Sequence, residues 1–280
     1  MFDRVVAFDG GADEVLSYAG VAEPDVRDLV HGCIFTRGPK DRKNTAIFVG
    51  GADMAAGERL LDAVRAAFFG PFRVSVMLDS NGSNTTAVAA VDRILEALGG
   101  DAGGARAVVT AGTGPVGTRV AGLLAAAGAD VLITSRHAAD GERVAAAIAR
   151  RFGHTVQSLE VRDPAHLAPA LDGATVLCNA GPAGVMIVPR AAWTGRKEAQ
   201  SLRVVVDLNA VPPLGVEGIE VNDSAVERDG VVCFGALGVG NFKMKLHRRC
   251  IARLFERDDL VLDAESIAEV AGELSATAKA

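Results

Sequence analysis

Cysteine is scarce in this 280-residue chain and widely scattered. Cys33, Cys178, Cys233 and Cys250 form no CxxC and no Cys/His cluster with metal-ligand spacing. No metal site is expected, and the four read as buried thiols. Basic blocks are missing too: 29 Lys and Arg stand against 35 Asp and Glu, a formal net charge of −6. The electrostatic footprint of a nucleic-acid binder is absent, which argues against a nucleic-acid partner. No apolar run approaches the roughly 18 uncharged residues of a membrane-spanning helix. The start, 1-MFDRVVAFDGGADEV-15, lacks the basic-then-apolar order of a signal peptide. A cytoplasmic protein without a membrane partner is the expectation. Nucleophilic constellations are also lacking: no Ser/His/Asp or Cys/His set stands out, His31 and His247 are isolated, and Met77 and the lone Trp193 read as packing residues.

What the chain has in quantity is apolar residues, 49% of the total, arranged in short runs between helical patterns. The runs 3-DRVVAF-8, 44-NTAIFVGG-51 and 73-RVSVML-78 predict strands. Between the last two, 54-MAAGERLLDAVRAAFF-69 sets Leu60, Leu61, Val64 and Phe68 on one helical face and ends at 70-GP-71. The Gly-rich segment 99-GGDAGGA-105 has the composition of a linker. Beyond it, strands are predicted at 106–111, 130–135, 155–161, 174–180, 203–208 and 231–236, with helices from Pro115 and over 139–151. This rhythm predicts an α/β protein of two α/β domains, the second a doubly wound, nearly all-parallel sheet. The boundaries are 1–100 and 101–261, with a C-terminal helix in about 262–280 packing back on the first domain. Over 240–257, Phe242, Leu246, Cys250 and Leu254 make an apolar stripe opposite a basic face.

The segment 112-GTGPVG-117 is a GxGxxG that directly follows an apolar strand and opens a helix, the context of a dinucleotide-binding turn. Gly112 permits the turn, Gly114 lets backbone approach a pyrophosphate, and Gly117 lets helix and strand pack closely. After the next strand, 134-TSRH-137 offers no carboxylate for a ribose hydroxyl but does offer Arg136, whose planar fork of donors suits a 2′-phosphate. NADP is the expected cofactor. Its expected contacts are Gly112, Thr113, Gly114, Pro115, Val116 and Gly117 in the turn, Ser135 and Arg136 after the second strand, and Ala180 and Asn209 at the ends of later strands.

The polar row 79-DSNGSNTT-86 follows an apolar strand. A turn through Asn81 and Gly82 and a cap at Ser83 or Asn84 use part of it. The surplus at Asp79, Ser80, Asn81 and Ser83 lies at a strand's C-terminal end, where open α/β sheets bind ligands, and predicts a polar binding surface.

The strings 9-DGGAD-13, 45-TAIFVGGADMAAGERL-60, 70-GPFRVSVMLDSNGSNTT-86, 112-GTGPVG-117, 207-DLNAVPPLGVEGIE-220 and 235-GALGVGNFKMKLHRRCIARLFE-256 together resemble the NADP-dependent methylene-tetrahydromethanopterin and methylene-tetrahydrofolate dehydrogenases of methylotrophic one-carbon metabolism. The likeness runs over nearly the whole chain and departs mainly in 137–172 and 190–200. It implies an N-terminal pterin-binding domain, a C-terminal Rossmann domain, a cleft between them and a homo-oligomer, a trimer. It implies hydride transfer from the methylene carbon of the reduced pterin to NADP. It also implies Lys243, after the glycine loop 235-GALGVG-240, as the active-site lysine. Asp9, Asp13, Asp79, Ser80, Asn81, Ser83 and Asn209 are the expected substrate-binding residues.

A carbocation flanked by two nitrogens stabilises itself, so this hydride transfer needs orientation rather than an acid or base. A carboxylate near the pterin would favour the cation formed; Asp9, Asp13, Asp79 and Asp207 are the candidates. Two alternatives stay open. One is a shikimate-dehydrogenase-like enzyme, which needs a Lys/Asp pair in the first domain; its only lysines, Lys40 and Lys43, lie in a charged loop that reads as a flexible, phosphate-attracting lid. The other is a non-catalytic NADP sensor. Neither the preference between the two pterins nor the physiological direction is readable.

Overall fold

The computed structural model describes residues 2–195 and 201–279; positions 196–200, part of the divergent stretch 190–200, lie outside the described residues. Along the first segment run α1 (Phe2–Asp9), α2 (Glu23–Phe35), β1 (Ala46–Val49), α3 (Met54–Ala67), β2 (Ser75–Leu78) and α4 (Ser83–Ala97). Next come β3 (Arg106–Thr110), α5 (Pro115–Ala126), β4 (Asp130–Ser135), α6 (Ala138–Phe152) and β5 (Gln157–Glu160). They are followed by β6 (Val176–Asn179), α7 (Arg190–Trp193), β7 (Val204–Asp207), β8 (Ser224–Arg228) and β9 (Val231–Phe234). The chain closes with α8 (Ala236–Arg253), β10 (Val261–Leu262) and α9 (Ala264–Lys279). Internal contacts divide it into two units. Unit one takes the residues up to Thr85 and those from Lys243 onward, and unit two is Thr86–Phe242.

Unit one is built on a three-stranded parallel sheet in the order β1-β2-β10. Its core packs Val26, Val30 and Ile34 of α2 against Leu61 and Val64 of α3 and Val76 and Leu78 of β2. Helix α2 escaped the sequence reading, although Pro24 in its first turn and apolar residues four apart mark it. The run 3–8, predicted as a strand, is the helix α1. Val6 is its one buried residue, Val5 just before it is exposed, and the run pairs with no strand among the described residues. β10 is only two residues long, too short to carry any periodicity, yet it hydrogen-bonds alongside β2 through Val261 and Leu262. The charged loop 37–43 is held down toward its end by Arg42. Arg42 is buried, donates to the Pro71 carbonyl at 3.0 Å, pairs with Asp258 at 3.3 Å and lies over the Phe72 ring, while Lys40 and Lys43 are exposed.

Unit two carries a seven-stranded sheet in the order β5-β4-β3-β6-β7-β9-β8. Every pair is parallel except β8 with β9, and β8 was not foreseen. Strands β6 and β7 are buried at every position, which is why they read as unbroken apolar runs. The order reverses between β3 and β6, so this edge is the switch point at which such sheets bind ligands.

The unit boundaries fall inside α4 and α8, not in the Gly-rich segment 99–105. That segment is a turn from α4 into β3: Gly99, Gly100 and Gly104 have φ of 85°, 98° and 74°, and Ala102 and Ala105 are buried. Composition alone cannot separate a linker from a tight turn built of the same residues. The supposed glycine loop 235–240 is likewise Gly235 followed by the start of α8. A Cβ at Gly235 or Gly238 would overlap the backbone of Glu220–Asp223, so close packing, not flexibility, selects glycine there.

Candidate functional site

In unit two, the glycine turn joins β3 to α5. Gly114 is the N-cap residue and Pro115 starts the helix, where its missing N–H costs nothing. A Cβ on Gly117 would lie 2.8 Å from the Gly112 Cα and 2.9 Å from the Ala111 carbonyl oxygen, so only glycine allows helix and strand to approach this closely. A Cβ on Gly114 would meet nothing nearer than the Ala111 oxygen at 3.6 Å; this open side is the space a dinucleotide pyrophosphate needs, and the turn fits one. Ala111 itself sits at φ 51°, a strained conformation for a residue with a Cβ. Thr113 and Val116 are half-buried on the turn. At the end of β4, Ser135 is buried and its Oγ both accepts from the His137 N–H at 3.2 Å and donates to the His137 carbonyl at 2.8 Å. Arg136 is exposed and makes no ion pair among the described residues.

Ala180 follows β6, where its N–H donates to the Thr110 carbonyl at 3.2 Å. Asn209 is buried, and its whole amide is spent inside the chain. Its Oδ1 accepts from Val211 N at 2.9 Å and Gly184 N at 3.3 Å, and its Nδ2 donates to the Pro182 and Pro213 carbonyls, each at 3.3 Å. It braces a loop from within. Asp207, one of the carboxylates considered for the pterin, is also an internal acceptor in unit two, bonded to Asn179 Nδ2 at 2.8 Å.

In unit one, the polar row is mostly interior. Asp79, Ser80, Ser83, Asn84 and Thr85 are buried and only Asn81, at φ 54°, is exposed. Asp79 accepts from Thr85 N at 3.0 Å and from Thr85 Oγ1 at 2.6 Å, capping α4. Ser80 Oγ donates to the Gly50 carbonyl at 2.8 Å beneath Gly57, whose Cβ would overlap that hydroxyl. Asn84 Nδ2 donates to the Leu78 carbonyl at 2.6 Å. The surplus of polar residues thus serves largely to join the ends of β1 and β2 to α4, a use that counting caps and turns underestimates. Ser83 Oγ is the exception, buried with no hydrogen-bond partner among the described residues.

Burial pushes the Asp79 carboxyl above the usual carboxylate range, while hydrogen bonds from Thr85 and the positive charge of Lys243 oppose the rise. The structure therefore brings Asp79 and Lys243 together. Lys243 is half-buried in α8, its Nζ 5.7 Å from the centre of the Phe2 ring; Lys245 is exposed. Asp9 and Asp13 stand apart on the surface, and Asp9 is paired with Arg248 at 3.0 Å. One turn beyond Lys243, His247 is fully buried, stacked on Phe48 with ring centroids 5.7 Å apart, and neither ring nitrogen has a hydrogen-bond partner among the described residues. Burial first, then the charges of Lys243 and Arg248, push its pKa down to about 4 against the pull of Asp3. His247, Phe2 and Phe48 were not foreseen around the lysine; the aromatic residues are distant in sequence and carried no signal. Among the described residues no group of three His, Cys, Asp or Glu could hold a metal, and no helix is long and apolar enough to cross a membrane.

A mainly parallel, switch-point sheet with a glycine turn at its reversal defines an α/β protein of the nucleotide-binding dehydrogenase class. Sequence similarity narrows this. Residues 1–81 match the family description methylene-tetrahydromethanopterin dehydrogenase, N-terminal. The chain is 49% identical over 275 residues to the bifunctional protein MdtA of Methylorubrum extorquens, covering 98% of this chain and 94% of that protein. It is 34% identical over 285 residues to the NAD(P)-dependent methylenetetrahydromethanopterin dehydrogenase of the same organism, with the same two coverages of 98% and 94%. The chain belongs to the methylene-tetrahydromethanopterin dehydrogenase family and is an oxidoreductase of one-carbon metabolism.

Proposed function

We propose that the chain oxidises methylene-tetrahydromethanopterin, methylene-tetrahydrofolate or both, with NADP as hydride acceptor, giving the methenyl pterin and NADPH. The observation that carries this reading is the full-length likeness to dehydrogenase relatives. NADP, when bound, supplies the redox chemistry. The glycine turn 112–117 would receive its pyrophosphate, with Ser135 and Arg136 at the 2′-phosphate and Ala180 at the nicotinamide end, where Asn209 holds the wall. Lys243 would donate hydrogen bonds to the pterin. Asp79, whose ionised form Lys243 favours, would stabilise the cation that develops as the hydride leaves. Ser83 Oγ, buried without a partner among the described residues, suits a ligand hydrogen bond, and Ser80 and the exposed Asn81 complete that face; Asp9 and Asp13 are exposed.

The test is absorbance at 340 nm with each methylene pterin and NADP or NAD, for the wild type, Lys243→Ala and Arg136→Ala. Wild-type turnover with NADP is expected, with the ratio of the two pterin rates identifying the substrate. Lys243→Ala should lower kcat by about tenfold or more. Arg136→Ala should raise KM for NADP by about tenfold and leave NAD kinetics almost unchanged. Tight NADP binding without turnover on either pterin would sink the reading.

A further inference from the structure

The three strands that meet at the reversal of the large sheet each end in a polar residue at one register: Thr110 of β3 is the partner of Asn179 of β6, which is the partner of Asp207 of β7. All three are buried. Thr110 Oγ1 donates to Asn179 Oδ1 at 2.7 Å, and Asn179 Nδ2 donates to Asp207 Oδ1 at 2.8 Å. Asp207 also accepts from Asn209 N at 3.1 Å and from Val216 N, through Oδ2, at 3.0 Å. No cation pairs with this carboxylate among the described residues. The acceptors of the ladder are met by backbone and side-chain N–H and O–H groups alone, so what it binds together is the chain those donors belong to.

What the ladder does hold is a pair of loops. Asn179 Oδ1 accepts from Gly181 N at 3.3 Å, fixing the chain after β6, while Asp207 fixes the chain after β7 at Asn209 and Val216. Farther out the loops are laced to each other: Ile187 N and Val188 N both donate to the Gly215 carbonyl at 2.9 Å, and Glu217 N donates to the Val188 carbonyl at 2.9 Å. Gly215 allows this, since a Cβ there would overlap Asn179 Nδ2. The lacing ends at Trp193, the chain's only tryptophan, whose Nε1 donates to the Glu217 carbonyl at 3.1 Å.

Resting on the reading that unit two binds NADP, we propose that Asn179 and Asp207 are positioning residues that lock the loops after β6 and β7 into one preformed wall for the nicotinamide end of the cofactor. The wall acts on ring placement. The pyrophosphate and 2′-phosphate, held elsewhere, supply most of the affinity, and a displacement of about 1 Å at the reacting carbon costs on the order of 100-fold in rate.

The experiment compares wild type with Asn179→Asp, Asp207→Asn, the double variant and Thr110→Val. It measures kcat and KM for NADP, NADP affinity, Trp193 emission and the thermal midpoint. Asn179→Asp sets two carboxylates face to face and Asp207→Asn two amides, whereas the double variant restores one donor and one acceptor with their order reversed. The expected result is that each single variant lowers kcat about tenfold or more with NADP KM within about threefold, and moves Trp193 emission to longer wavelength. The double variant should recover much of the lost rate. If the single variants do not fold, Thr110→Val, which removes one hydroxyl of similar size, should show the same split in milder form. Folded variants with wild-type kcat, or a double variant no better than the worse single one, overturn the proposal. A wild-type chain that fails to bind NADP overturns the cofactor reading and the proposal with it, while an NADP-binding wild type with unaffected variants overturns the proposal alone.

Discussion

At Asp79 the chain buries a carboxyl group under the start of α4, where Thr85 offers it two donors but burial still favours its protonated form. For such a raised acid the stabilising contribution is full below its unfolded pKa and is lost as pH rises through the folded one. Asp79→Asn keeps an acceptor for Thr85 N and removes the buried charge. It should therefore leave thermal stability at pH 7.5 unchanged or raise it by about 1 kcal/mol, while turnover at 340 nm falls about tenfold if the carboxylate faces the pterin cation. Full turnover in this variant would remove Asp79 from the chemistry. His247 has the opposite sign. Its pKa is depressed to about 4, so the folded chain stays neutral there while the unfolded chain takes up a proton below about 6.5. Its contribution is complete above pH 6.5 and is lost as pH falls toward 4, by up to about 3 kcal/mol. Urea titrations between pH 7 and 4.5 should show that slope in the wild type and a flatter one in His247→Leu; equal slopes would mean that the ring is hydrated in solution.

Helices α8 and α9 show how one glycine can be a packing device and another merely tolerated. Gly238 faces the Asp223 carbonyl with no room for a Cβ, whereas Gly272 in α9 has nothing within 4 Å. Gly238→Ala should lower stability by about 3 kcal/mol or more through overlap with backbone that cannot move aside. Gly272→Ala should raise it by about 0.5–1 kcal/mol from helix propensity. Differential scanning calorimetry of the two variants checks both, and similar midpoints would show that the Asp223 turn yields. At this scale much was legible: β4 has the predicted bounds, α3 and α6 lie within a residue or two of theirs, and α5 starts at the expected Pro115. Apart from α2, whose periodicity was there to read, the failures share a cause. α1 is short and mixed, β8 is exposed along most of its length, and β10 is two residues, so none carries a period long enough to read.

For the whole molecule, the resemblance implies a trimer, and Phe2, Val5, Phe8, Leu16 and Tyr18 leave apolar surface exposed near the start of the chain. Light scattering on the purified protein should give a mass near three times the 28.8 kDa chain, and Val5→Glu with Phe8→Glu should lower it. A monomeric wild type at micromolar concentration would refute self-association. By itself the sequence determined what depends on neighbours along the chain: the α/β class, the glycine turn before α5, the arginine after β4 and the polar row after β2. Those signals are local, because a turn, a cap or a period needs only a few adjacent residues. Only the tertiary structure decided which polar groups are spent internally. It showed that Asn209 has no free amide atom, that most of 79–85 is interior, and that Thr110, Asn179 and Asp207 share one register. Whether a side chain faces a ligand or its own backbone is settled by partners many residues away, and no local pattern records them.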